Sequence, residues 1–145
     1  MRRHPAAVYW DPETGMPDSW EVSMVKDSVG PEFGFPSSHD AGFQRMCWVE
    51  NLVTNWMGDL AFLKALKLRL IRPNLEYDTT WCKGRVVGKR SEGTQRLVDL
   101  EVWCEDERGE VTARGTATVA LVCRDVDIHI PQAVSERGFP ATFQP

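Results

Sequence analysis

Few residues of this chain are equipped for chemistry. There are three histidines, His4, His39 and His129, and four cysteines, Cys47, Cys82, Cys104 and Cys123. No CxxC or Cys/His spacing occurs, and no group of Cys, His and carboxylates has ligand spacing, so no metal is expected. No nucleotide-binding loop is present. His4 lies in a ragged start and His129 in the tail. His39 alone stands beside a carboxylate, Asp40, where a helix begins. An imidazole and a carboxylate side by side could move protons on a bound molecule. Equally, Asp40 is a helix cap with a loop histidine next to it. Asn51 and Asn55 lie one turn apart on that helix and could bind a substrate or satisfy carbonyls at strand ends. Glu50 adjoins the helix's apolar arc, with Arg45 and Lys64 as ion-pair partners within reach.

The element that must position these groups is a long, largely buried helix over residues 41–57. At about 100° per residue, Met46, Val49, Leu52, Val53, Trp56 and Met57 fall on one arc, and Gln44, Asn51, Thr54, Asn55 and Gly58 fall on the other. Arg45 interrupts the apolar stripe at one edge. Ser37, Ser38 and Asp40 are cap residues, Asp40 the best of them, and Gly58 is the stop.

What surrounds the helix is legible as strands. After a short turn over 59–64, Leu66, Leu68 and Leu70 alternate with Lys67 and Arg69. Residues 79–90 place Cys82, Gly84, Val86 and Gly88 on one face. Residues 96–105 place Val98, Leu100, Val102 and Cys104 on one face. Residues 110–122 do the same with Val111, Ala113, Gly115, Ala117, Val119 and Leu121. SEGTQ and DERG form the turns. Small inward residues let a bulky helix lie close, and an antiparallel sheet with one apolar face needs a cover. The physical reading is a curved antiparallel sheet wrapped around a central helix, with an unwrapped two-layer sandwich as the structural alternative. Residues 1–36 are irregular and expected to lie across the rest, with an extended piece near Ala7–Trp10 and a short helix or strand over 20–29. Residues 125–145 read as a loop or crossing tail. The whole, 1–145, is one domain.

Composition removes other classes. Apolar residues make up 42% and charged residues 26%, as in a globular protein. The net charge is −4, and no Lys/Arg cluster interleaves with aromatics, which argues against nucleic acid. No apolar run approaches the roughly 20 residues that span a bilayer, so no membrane is expected. The start has two arginines but no apolar stretch and does not read as a signal peptide. The cysteines read as reduced and mostly buried, in a cytoplasmic protein.

The run NLVTNWMGDLAFLKALKLRLIRPNLEYDTTWCKGRVVGKR, followed by LVDLEVWCEDERGEVTARGTATVAL, resembles the MaoC-like acyl dehydratases and enoyl-CoA hydratases of the hotdog superfamily. Within these it looks most like the branch related to fatty-acid-synthase-type dehydratase domains and to small subunits of actinobacterial steroid-type hydratases. VTNWMGD, RLIRPN, YDTTWCKGRV and GEVTARGTATVAL carry the likeness, which covers roughly residues 34–122.

The resemblance implies an α+β hotdog fold and lyase chemistry: water added to a 2-enoyl thioester, or removed in reverse. No cofactor is implied beyond the substrate, an acyl-CoA or acyl-carrier thioester. It implies a dimer joined edge to edge, either a homodimer or a heterodimer with a second hotdog chain. With His39 the one histidine near the thioester, catalysis by this chain would fall to His39 and Asp40. Substrate binding falls to the N–H groups of Ala41, Gly42 and Phe43, which would hold the thioester oxygen, and to Asn51 and Asn55. Active relatives carry a D-x-x-x-x-H-x-D segment before the helix. Here PDSWEVSMVKDSVGPEFGFP holds Asp18 and Asp27 but no histidine, and the histidine's place falls at Ser23 or Met24.

Three functions follow: a hydratase or dehydratase using His39 and Asp40 or a pair borrowed across a dimer; a non-catalytic half completing the acyl pocket of a catalytic partner; or, with no supporting HGG-like helix start, an acyl-CoA thioesterase. Lys67, Arg69, Arg72, Lys83, Arg85, Lys89 and Arg90 give the strands a basic outer side that could meet CoA phosphates or simply be solvated.

Overall fold

The computed structural model describes residues 8–122. His4, Cys123, His129 and the tail over 125–145 lie outside the described residues. In chain order the elements are β1 (Val8–Trp10), β2 (Pro17–Ser19), α1 (Gly42–Met57), β3 (Phe62–Leu70), β4 (Trp81–Glu92), β5 (Gln95–Glu105) and β6 (Val111–Leu121). Strands β3 to β6 form one antiparallel sheet in the order β3-β6-β5-β4, and α1 packs against all four of them. This is the helix-on-curved-sheet arrangement expected.

Alternation decides which faces meet. Val49 and Val53 of α1 are buried against Leu100, Val102 and Cys104 of β5 and Ala113, Ala117 and Val119 of β6. Burying each Val or Leu side chain contributes about 1.5–3 kcal/mol. The buried line of α1 is Arg45, Val49 and Val53, at i, i+4 and i+8. It is narrower than the expected arc: Trp56 is 49% exposed, and Met46, Leu52 and Met57 are only partly buried. Arg45 lies on the buried line itself rather than at its edge.

Two boundaries differ from the sequence reading. Strand β3 begins at Phe62, inside the stretch expected to be a turn. In β4 a bulge between Val86 and Gly88 shifts the register against β5. It turns Gly88 to the outer face beside Asp99, because one extra residue reverses which side a period-2 strand presents.

At Gly115 of β6 the β3 backbone leaves no room for a side chain. A Cβ there would lie 1.9 Å from the Lys67 carbonyl oxygen and 3.0 Å from Leu68 Cα. Both obstacles are backbone, so no rotamer change relieves the clash. Gly115→Ala is expected to cost about 2–3 kcal/mol, read as a lower urea midpoint. An unchanged midpoint would contradict the Leu68↔Gly115 register.

The segment before α1 has its own small cluster, Tyr9, Val22 and Val29 with Phe33. Strands β1 and β2 pair in a hairpin separate from the main sheet. Of residues 20–29, expected to be a short helix or strand, Trp20–Met24 form a short 3-10 helix, and a second 3-10 helix covers Gly30–Phe33. The segment is tied back through Asp27, whose carboxylate accepts the Ser38 N–H at 3.0 Å and the Ser38 hydroxyl at 2.5 Å.

Candidate functional site

The chain leading into α1 runs antiparallel to the β3–β4 connection. His39 bridges Leu75. The Asp40 N–H donates to Asn74 O (2.9 Å), and the Glu76 N–H donates to Ser38 O (3.0 Å). Asp40 Oδ1 accepts the Asn74 N–H at 3.0 Å. Its Oδ2 lies 2.6 Å from Arg45 Nε, an ion pair with both side chains buried. Arg45 Nη1 also donates to Thr112 O at 2.9 Å and to Arg72 O.

The expectation that Asp40 caps the helix is therefore corrected. The N-cap is Ala41. Its N–H donates to Gln44 Oε1 (2.8 Å), while the Gln44 N–H returns to Ala41 O (2.9 Å). A buried guanidinium claims the Asp40 carboxylate more strongly than an exposed helix end can, since removing either ion would strand the other. The carboxylate is thus engaged rather than poised as a base.

His39 is differently placed. It is 6% exposed, and the Phe35 ring lies on it at 3.8 Å between centroids. Its Nδ1 is 2.9 Å from Asp40 O. A carbonyl only accepts, so in the neutral ring Nδ1 carries the proton and Nε2 the lone pair. Nε2 is buried and has no partner among the described residues. The ring lines an open cleft of ≈ 310 Å³ at the start of α1, walled by Trp20, Met24, Phe35, Leu70 and Ile71.

Of the three N–H groups expected to bind a thioester, Ala41's is taken by Gln44. Gly42 lines the cleft, and its missing Cβ makes room for Leu70, whose Cδ1 would otherwise lie 2.4 Å away. Phe43 is 72% exposed. Asn51 and Asn55 are exposed and do not line this cleft. Glu50 is exposed and forms no ion pair among the described residues: Arg45 is held by Asp40, and Lys64 lies near Gln95 and Glu92.

The upstream segment answers where a second histidine would stand. Ser23 is buried and donates to Trp20 O (2.8 Å). Met24 lines the same cleft as His39. Asp18 and Asp27 do not line it. The cleft therefore holds one imidazole, and its single carboxylate, Asp40, is paired with Arg45. A second, apolar slot of ≈ 90 Å³ lies between α1 and the β4–β5 pair, lined by Leu52, Val53, Trp56, Gly84, Val86 and Val102 among others.

The basic outer face is mostly neutralised. Lys83 pairs with Glu105, Arg85 with Glu101, Arg90 with Asp99 and Arg72 with Glu110. Hydrogen bonds from Arg90 and Thr118 hold the Asp99 carboxyl below its usual range, and those from Lys83 and Trp103 do the same for Glu105. Lys67 and Arg69 meet no carboxylate among the described residues, and Arg69 stands directly opposite Arg114, which sequence reading had not singled out.

Sequence reading also missed Asn74 and the aromatic wall of Trp20 and Phe35. The one signal available was Arg45 itself, a cation four residues before Val49 and five after Asp40 on a buried stripe.

No family model matches the chain, and no curated protein matches it. Solved structures do. It is similar to the ChsH1–ChsH2 complex from Mycobacterium tuberculosis, with a TM-score of 0.58 and 23% identity over 66% of this chain and 72% of that one. An (R)-hydratase from A. caviae involved in PHA biosynthesis aligns with a TM-score of 0.60 and 15% identity, over 66% and 72% of the two chains. A MaoC-like dehydratase from Rhodospirillum rubrum aligns with a TM-score of 0.58 and 17% identity, over 68% and 72%. At these identities the likeness is one of fold: the chain has the hotdog fold.

Proposed function

We propose that this chain is one subunit of a MaoC-like acyl-thioester hydratase or dehydratase, and that it shapes the acyl pocket while a second hotdog chain supplies the proton-transfer pair. The observation that carries this reading is the lining of the cleft: Met24 lines it at one of the positions expected for a histidine, and Asp40 is spent on Arg45. Adding water across a 2-enoyl thioester places oxygen on one carbon and a proton on its neighbour, so it needs a group that takes a proton and one that returns it. One imidazole without a free carboxylate in the same cleft does half of that work.

The apolar slot beside Trp56 and Val86 is suited to an acyl chain. The fold neighbours include a complex of two named chains. Strand β4 is a sheet edge among the described residues, and an open edge with unpaired N–H and C=O groups is a template for another strand. We place the partner's strand there.

The test is co-expression with a MaoC-like chain encoded beside this one and carrying the Asp and His that this chain lacks. The two are expected to co-purify, and Val87→Pro on the β4 edge to weaken that assembly without unfolding the chain. A folded chain that remains alone with every such candidate would sink the reading.

A second reading has one observation in its favour, the buried and unpartnered His39 Nε2: the chain is itself a hydratase with His39 as base. It predicts turnover by the purified chain that His39→Ala abolishes.

A further inference from the structure

Cys82 of β4 and Cys104 of β5 are direct cross-strand partners, with their sulfurs 3.8 Å apart. Opposed residues of an antiparallel pair have Cα atoms about 4.5–5.5 Å apart, inside the 4.4–6.8 Å or so that a disulfide tolerates. The two thiols differ in access. Cys104 is completely buried, whereas Cys82 is half-buried and lines a shallow depression with Trp48, Asp78 and Thr80.

We propose that Cys82 and Cys104 form a peroxide-sensitive dithiol, in which Cys82 meets the oxidant and Cys104 closes the disulfide. The Cys82 thiolate attacks one peroxide oxygen, the O–O bond breaks, and hydroxide leaves, giving a sulfenic acid at Cys82. The Cys104 sulfur then attacks the Cys82 sulfur, the S–O bond breaks, and a second hydroxide takes the Cys104 proton to leave as water. Two thiols and one hydrogen peroxide become one disulfide and two waters.

The acidities agree with this division of roles. The hydrogen bond from Cys104 lowers the Cys82 thiol below its ordinary value, and that same bond together with burial pushes Cys104 far up. The thiol held below its ordinary value is the more accessible one, as an oxidant-facing sulfur requires. Because Cys82 lies on the strand proposed as the partner's edge, the modification belongs to the unassembled chain. It stands on the β4–β5 register alone, whatever the chain's activity.

The experiment treats the full-length chain, with Cys47→Ser and Cys123→Ser to remove competing thiols, with hydrogen peroxide, then alkylates and maps peptides under denaturing conditions. The expected product is a linked Cys82–Cys104 peptide lighter by two hydrogens and restored by dithiothreitol. With Cys104→Ala, Cys82 stops at a sulfenic acid that dimedone captures. Should that variant fail to fold, the linked peptide in the chain retaining Cys104 decides the matter. Both thiols still open to alkylation, under peroxide that oxidises the exposed Cys47 of the parent chain, would overturn the proposal. So would Cys82 carried on to a sulfinic acid without a link.

Discussion

Arg45→Met is expected to lower stability by about 3–5 kcal/mol, the usual loss when one member of a buried ion pair is removed. For a chain of this size that is a fall of roughly 10–15 °C in Tm. The reason is local and threefold. Asp40 is left charged at a site where its side chain is 7% exposed. Thr112 O and Arg72 O lose the guanidinium's hydrogen bonds, Thr112 O keeping those from the Ile71 and Arg72 N–H groups, and each such charged-group bond contributes about 1.5–3 kcal/mol. The Asn74 N–H to Asp40 contact must then hold the start of α1 without the guanidinium.

The double variant Asp40→Asn/Arg45→Met removes both charges and is expected to recover a large part of the loss, since a buried pair is worth little against neutral groups of similar size. Thermal unfolding of the parent, the two single variants and the double variant checks this. Strictly additive losses would mean that the pair does not interact as described.

The second large effect concerns turnover by the assembled pair. Removing the partner's histidine is expected to slow it by about 10²–10⁴-fold, the usual contribution of a positioned acid or base. His39→Ala in this chain is expected to change the same rate by less than about threefold, because the one carboxylate lining this cleft with it, Asp40, is held by Arg45 and leaves it no free acid–base partner there. Trp56→Ala, which opens the apolar slot, is expected to raise KM for longer acyl chains by about tenfold while leaving kcat for short ones unchanged. That is the pattern of a lost binding contact that acts equally before and in the transition state. Steady-state kinetics on a graded series of 2-enoyl-CoA thioesters reads both. A His39→Ala loss as deep as that of the partner's histidine would move catalysis back to this chain.

How much of this was legible in the sequence follows the physics of each signal. The alternation of Val98, Leu100, Val102 and Cys104, and of Ala113, Ala117 and Val119, is a local period, and all seven are buried. The helix was equally plain, its start displaced by a single residue. What failed was whatever depends on a partner distant in sequence. Asp40 reads as a cap in isolation because caps are local, but the Arg45 guanidinium and the Asn74 N–H claim it across the fold. Gly88 was placed inward because a bulge leaves no mark on alternation. Trp56 was placed in the core by its position on the helical arc, yet the fully buried line of α1 is only Arg45, Val49 and Val53, and Trp56 instead borders the slot against β4 and β5. The cleft itself joins residues 20–24 to residues 70–72, a contact that no spacing encodes. The missing histidine, by contrast, was visible as an absence, and Met24 lines the cleft at one of the two positions expected for it.

The most direct measurement is turnover by the purified, folded chain alone on a panel of 2-enoyl-CoA thioesters, with His39→Ala beside it. No turnover above the uncatalysed rate is expected from either protein, and turnover is expected once a partner bearing the Asp and His is added. Turnover by the chain alone that His39→Ala removes, with folding intact, would contradict a pocket-shaping role and make His39 the base.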